Sequence, residues 1–467
     1  MEKQVKYLFL HKNNFDLSQL HRSCFHTTFR KYRKAFFSPL LLSGLRSNIS
    51  TEKRKICLQM KDISATKHSF TDDEYNETSY YFENGLRKVY PYYFNFKGFA
   101  KGRWVGKNIL DIVSSEFRVV SEPVEEFKRR INEGLITVNS ERIDIDYKVK
   151  QHDFISSTVH RHELPVKAES VTIIHEDKDK LVINKPASIP VHPCGRYRHN
   201  TIMFILAKEY SLNNLFAIHR LDRLTSGILI FAHNKNVAHA LSQQFNDRNV
   251  KKEYICRVEG DFPNGVTICK EPLEVIHKII GISKVSSNGK PSTTIFEKIS
   301  FNGRTSLIFC RPITGRTHQI RVHLQYLGFP IVKDPLYNHT VFGPEKGRGG
   351  RINKSDEQLI SDIIKIEKCR KVDSFLNRGV SYSGNGRPGF LVNESGNDMK
   401  LGPSLDTSVL FNPNNVSFDK YCHDCKVSIN DPRPEELNMC LHAWKYQGPD
   451  WTFETELPMW TDDNWKD

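Results

Sequence analysis

An α+β fold, built on a mixed and largely antiparallel sheet with flanking helices, is the architecture this sequence predicts. Several strand-like runs precede each helical one, which is the order of an α+β chain and not of alternating βα units. Residues 252–258 and 305–310 alternate as half-buried strands do, whereas residues 201–210 and 237–245 carry helical periodicity. With 467 residues, 38% of them hydrophobic and 11% aromatic, the chain can build the cores of two or three domains.

Residues 1–75 differ from the rest. Between Ser18 and Thr51 stand six basic residues (Arg22, Arg30, Lys31, Arg33, Lys34 and Arg46) and no acidic one. That composition suits a mitochondrial targeting segment and equally a basic tail without fixed structure. Within residues 76–165, an aromatic and basic block comes first: Tyr80-Tyr81-Phe82, the run 90–96, and Lys101-Gly102-Arg103-Trp104. Aromatics among cations can stack bases, although such a run is more commonly core and strand. A small unit follows over 107–160, with a helix predicted at 124–134, Arg129 and Arg130 near its end, and Gly134 as its C-cap. A strand over 135–139 comes next.

The main domain spans 171–340. It opens with a strand over 179–185 broken by Pro186, and continues into Ile189-Pro190-Val191-His192-Pro193-Cys194-Gly195. Residues 341–420 break the pattern. Gly343-Pro344, Gly347-Arg348-Gly349-Gly350, a charged helix near 356–371 and a Gly/Ser/Asn/Asp-rich stretch predict a low-complexity, partly disordered insertion. Residues 421–460 return to the domain, with a strand around 439–446.

The net charge of +14, from 68 basic and 54 acidic residues, places nucleic acid first among polyanionic partners. No run nears the roughly 18 apolar residues of a membrane span, so the chain is expected to be soluble. Ten scattered cysteines argue against a disulfide framework and for a reducing compartment. One constellation, Cys422-x-x-Cys425 with Cys440-x-His442, has the residue types of a tetrahedral zinc site, but Cys440 and His442 fall in a presumed sheet strand. No metal and no cofactor is assigned.

The most specific signal is His219-Arg220-Leu221-Asp222-Arg223-Leu224-Thr225-Ser226-Gly227. Cations on both sides of Asp222 lower its pKa and keep it ionised, so it can act as nucleophile or base unaided. The flanking arginines suit a phosphate-bearing substrate. An isolated acid between arginines is usually a structural ion pair. The second segment, Thr314-Gly315-Arg316-Thr317-His318-Gln319-Ile320-Arg321-Val322-His323-Leu324, makes the combination specific. In this order the two segments resemble those of RluA-type pseudouridine synthases, which turn uridine into pseudouridine within RNA. The resemblance covers about residues 78–350 and 421–460. Lys185-Pro186 with Val191-His192-Pro193 is similar to the family's first motif, and Leu441-His442-Ala443 to the strand that closes its sheet. The helix, glycine and strand of 124–139 resemble the S4-like RNA-binding domain that often precedes the catalytic one, which makes Arg129 and Arg130 candidate RNA contacts.

The resemblance implies an isomerase that needs no cofactor. The N1–C1′ bond breaks, the uracil rotates, and C5 joins C1′. A carboxylate can serve by attacking C1′, by adding to C6 or by removing a ribose proton, and each route needs it ionised and shielded from water. By resemblance that carboxylate is Asp222. Tyr254 would stack on the flipped uracil and assist proton removal from C5. Arg321 lies on a helix whose apolar face is Ile320, Leu324 and Leu327 and which stops at Gly328; it would pair with Asp222 and hold it charged. Arg220 would fill the space left by the flipped base, and Arg316 and His318 would contact phosphates or brace the motif. Related eukaryotic enzymes modify uridine 32 of the tRNA anticodon loop, so tRNA is the first partner and messenger RNA the second. Neither a membrane nor an obligatory protein partner is implied. The rival from another class is a noncatalytic RNA-binding protein of the same fold, for which Asp222, Tyr254 and Arg321 would be superfluous. A deaminase fusion fails, because no His-x-Glu with a downstream Pro-Cys-x-x-Cys is present.

Overall fold

A computed structural model describes residues 72–117, 123–278, 280–372, 409–427 and 430–465. The basic N-terminal stretch before Asp72, and residues 373–408 of the expected insertion, lie outside the described residues. No helix among the described residues is long and apolar enough to cross a membrane.

A small αβ unit contains β1 (Tyr92–Phe99), α1 (Ile109–Glu116), α2 (Val124–Asn132), β2 (Ile136–Val138), β3 (Glu141–Arg142) and β4 (Phe154–Arg161). Its strands lie antiparallel in the order β1-β4-β2-β3. Glu125 and Glu126 open α2 and Arg129 and Arg130 close it, a distribution that complements the helix dipole. Phe127 and Ile131, one turn apart, join Trp104, Ile112, Ile136 and Ile155 in the core. The aromatic block is a strand that leaves Tyr93, Phe96 and Phe99 exposed.

The large sheet has ten strands: β5 (Thr172–Glu176), β6 (Lys180–Lys185), β7 (Phe216–Ala217), β8 (Ser226–Ala232), β9 (Lys251–Glu259), β10 (Val266–Cys269), β11 (Thr294–Phe301), β12 (Thr305–Pro312), β13 (Leu441–Gln447) and β14 (Thr452–Glu454). The order is β10-β11-β12-β9-β13-β8-β6-β5, with β7 paired to β8 and β14 to β13. Every pairing is antiparallel except β8 with β13. The expected α+β class therefore holds.

Strand β8 is buried on both faces, which explains its unbroken apolar run. Leu229 and Phe231 pack with Ile202, Ile205 and Leu206 of α3 (Ile202–Tyr210). Ile228 and Ile230, on the other face, pack with Leu241 of α4 (Lys235–Asn246). The insertion begins later than composition suggests. Val341, Phe342, Leu359 and Ile363 are buried with Val322 and Tyr337, so residues 341–366 contribute to a core and are not filler.

Gly227 marks where Asp222's turn meets β13. Its φ is +110°, and a Cβ there would lie 2.2 Å from the Ala443 carbonyl oxygen. Backbone on both sides leaves no room to relax. Gly227→Ala is expected to cost about 3 kcal/mol or more, read as a fall in Tm of several degrees by calorimetry; an unchanged Tm would refute the close approach.

Candidate active site

Two elements converge on Asp222. The turn carrying it runs into β8, and α5 (Gln319–Leu327) faces it from the other motif. Gly328, with φ +89°, caps α5 where the sequence predicts its stop. All of Gln319 to Gln325 is buried, so Arg321 is held among neighbours on every side.

Arg321 donates from one terminal nitrogen to Asp222 Oδ2 at 3.2 Å. Its Nε and other terminal nitrogen clamp Asp334, at 2.7 and 2.9 Å. The Asp334 side chain is fully buried, and its Oδ1 also accepts the backbone N–H groups of Leu336 and Tyr337. The bidentate pair expected for Asp222 is thus made with Asp334, and Asp222 receives a single bond. A guanidinium so clamped has one free direction, which is toward Asp222.

His318 takes φ +56° at the start of α5. Its Nδ1 lies 2.9 Å from the Tyr337 hydroxyl, and its Nε2 lies 3.6 Å from Asp222 Oδ2. The Tyr337 hydroxyl also accepts the Ser283 N–H at 3.0 Å. Assigned from that pattern, the hydroxyl donates to Nδ1 and the imidazole proton sits on Nε2, facing the carboxylate. Burial pushes the His318 imidazole down to about 4, so it is neutral at pH 7. Burial raises the Asp222 carboxyl, and His318 and Arg321 outweigh it, leaving it below its ordinary 3.8. Because His318 is neutral at pH 7, Arg321, with a smaller share from Arg220, keeps Asp222 charged there.

Tyr254 is on β9, where the register with β13 shifts between Glu253 and Tyr254. Such an irregularity re-aims a side chain. Its hydroxyl meets that of Tyr446. Burial raises the Tyr254 phenol to about 12, and the charge of Asp222 adds to the rise. At neutral pH Tyr254 is a phenol, suited to offering its ring and relaying a proton but not to standing as a phenolate.

The remaining predicted residues divide. Arg220 is exposed, and its charge is felt at Asp222, His192 and Cys194, which places it between the catalytic turn and the Val-His-Pro loop. Arg316 is tied by its Nε to the Pro291 carbonyl at 3.2 Å. Arg129 pairs with Glu126 and Glu133 on its own helix and lies over the Tyr421 ring. Arg130 is buried and donates to Ser157 Oγ and the Thr158 carbonyl, so its guanidinium braces the small unit from within. Among the described residues, neither contacts the Asp222 cluster.

Sequence reasoning missed two members and the part played by a third. Asp334 and Tyr446 are the two. Lys185 is the third: fully buried, its Nζ donates to the carbonyls of Pro186, Ile189 and Arg223, which staples the Lys-Pro loop to Asp222's turn. The zinc constellation needs correction. Cys440 packs in the main core, and both ring nitrogens of His442 are bonded, to Ser226 and Thr455. The strand commits both to the sheet, so neither reaches Cys422 and Cys425.

Comparison with known proteins shows the family. The RNA pseudouridylate synthase family model matches residues 179–326, the span that holds both motifs. The chain is 44% identical to the mouse (Mus musculus) pseudouridylate synthase RPUSD2 over 85% of its own length and 76% of the relative's. It is 35% identical to the mitochondrial tRNA pseudouridine(32) synthase of Saccharomyces cerevisiae, covering 84% of this chain and 80% of that one. A second yeast relative, a tRNA pseudouridine(31) synthase, is 31% identical, over 81% of this chain and 96% of that one.

Proposed function

The chain belongs to the RNA pseudouridylate synthase family, and we propose that it converts uridine 32 of the tRNA anticodon loop to pseudouridine with Asp222 as its catalytic carboxylate. It is an isomerase acting on RNA. The observation that carries the assignment to Asp222 is the charge relay of position: buried Asp334 clamps Arg321, and Arg321 holds Asp222 ionised in a largely enclosed site. A noncatalytic binder has no use for a carboxylate maintained in that way.

The target uridine must leave its stack, at a cost of a few kcal/mol. Arg220, exposed beside the site, is positioned to fill the vacated space. Tyr254 offers a ring for the uracil, and its hydroxyl is held by that of Tyr446. Asp222 acts on C1′, C6 or the ribose, and all three routes require the same ionised, oriented group. Exposed Tyr93, Phe96 and Phe99 on β1 offer further stacking surface to the RNA.

The 35% identity to the yeast position-32 enzyme favours position 32, and the position-31 relative supplies the competing reading. The test is incubation of purified protein with anticodon stem-loop RNA and chemical mapping of pseudouridine. Product at 32, abolished when that uridine is replaced by cytidine, supports the assignment. Product at 31 would move the target by one nucleotide. Salt-sensitive binding without product on any tRNA or messenger stem-loop would favour the noncatalytic reading. The basic stretch 1–75 suits mitochondrial import, and its deletion is expected to move the protein out of a mitochondrial fraction.

A further inference from the structure

We propose that His160, His162, Cys422 and Cys425 bind a zinc ion that staples residues 417–425 onto the end of strand β4. One ligand atom from each of the four lies within 4.8 Å of the others. The sequence separates the pairs widely, and the fold brings them together.

The donor set and spacing suit Zn²⁺. Two imidazoles and two thiols form a Cys₂His₂ set, which zinc takes tetrahedrally at about 2.0–2.1 Å to nitrogen and 2.3 Å to sulfur. Tetrahedral angles then put neighbouring nitrogen and sulfur atoms roughly 3.5 Å apart. Cys425 Sγ lies 3.3 Å from His162 Nε2 and 3.4 Å from His160 Nδ1. The histidines, at i and i+2 of extended chain, project to one side. The cysteines bracket a single turn of helix, His423–Lys426.

The surroundings prepare these atoms as ligands. His160 Nε2 is bonded to Ser417 Oγ at 2.8 Å, which orients the ring with Nδ1 toward the sulfurs, as outer partners of metal-bound histidines do. The Asp419 N–H points at Cys425 Sγ from 3.4 Å, and the backbone N–H groups of Asp424 and Cys425 face Cys422 Sγ. Two thiolates balance Zn²⁺, so the loaded site is neutral and suits its half-buried position.

The attachment has a structural purpose. Arg196 bonds both Asp424 and the His162 carbonyl, and Arg161 bonds the Gly195 carbonyl. Gly195 and Arg196 end the Val-His-Pro loop near Arg220. Zinc at this point would fix the small RNA-facing unit, the returning segment and that loop to one another.

Zinc in full-length protein, purified without chelator, is to be measured by elemental mass spectrometry beside Cys422→Ser/Cys425→Ser, with Cys194→Ser as a control. About one zinc per chain is expected in the wild type and control and a loss of tenfold or more in the double variant. Cobalt replacing zinc should give the absorption of a tetrahedral ion with thiolate charge transfer. Should the double variant not fold, alkylation of the wild type decides: Cys422 and Cys425 should be protected and become reactive once chelator is added. Folded wild type that holds no zinc, takes up no cobalt and alkylates at both cysteines regardless of chelator would overturn the proposal. So would a double variant that keeps its zinc.

Discussion

Asp222→Asn is expected to lower the rate of pseudouridine formation by a factor on the order of 10⁴ or more, the scale of removing a group on which the whole reaction depends. The fold should survive the change. Asparagine matches the shape of aspartate, and Arg321 keeps both bonds to Asp334, so no buried cation is left unpaired. A Tm within about 3 °C of wild type is the corresponding expectation. RNA affinity and its salt dependence should hold too, because they rest on exposed cations such as Arg220 and not on a carboxylate. Rate, Tm and binding measured on one preparation separate the outcomes. More than a tenth of wild-type activity would remove Asp222 from the chemistry, and a large fall in Tm would make it a structural ion pair.

How much of this was legible in the sequence depends on whether a feature is local. Asp222 and Arg321 each sit in a long, unusual segment, and the apolar spacing of α5 with Gly328 at its end shows where Arg321 must leave the helix. Asp334 has no such context. It is one acid before a proline, with many ordinary uses, and its role appears only when the turn after α5 folds back on Arg321. Lys185 was recognised as part of a motif, but its work on three carbonyls is a property of the closed loop. The zinc half-motif shows the same limit. Cys422-x-x-Cys425 stands out locally, whereas His160 and His162 lie far back in the chain, 263 positions separating His162 from Cys425, and Cys440 with His442 is merely near in sequence. Composition misjudged residues 341–366, since glycines there hid Val341 and Phe342, which are buried.

Arg321→Gln carries the second large effect, and it separates orientation from charge. Burial is the strongest influence on the Asp222 carboxyl and pushes it upward; the positive neighbours overturn that push. His318 is neutral at pH 7, so removing Arg321 leaves only the exposed Arg220 against burial. The carboxyl is then expected to titrate above its wild-type value, because its strongest positive neighbour at that pH is gone. In wild type, the activity governed by this group should hold until pH falls below about 4. In Arg321→Gln the acid limb should move up by about two units, so that activity is already lost in mildly acid buffer and recovers toward neutrality. Stability should fall by about 3–5 kcal/mol, because Asp334, buried as a carboxylate, loses its clamp. The same linkage acts in wild type. Asp222 and Asp334 both have lowered folded values, so their stabilisation is present above about pH 4 and disappears as pH drops through those values. Arg321→Gln/Asp334→Asn removes the stranded charge, so it should regain much of the lost stability while keeping the displaced pH profile. An unmoved acid limb in both variants would show that Arg321 does not set the charge of Asp222. Losses that simply add in the double variant would show that Arg321 and Asp334 do not act as one unit.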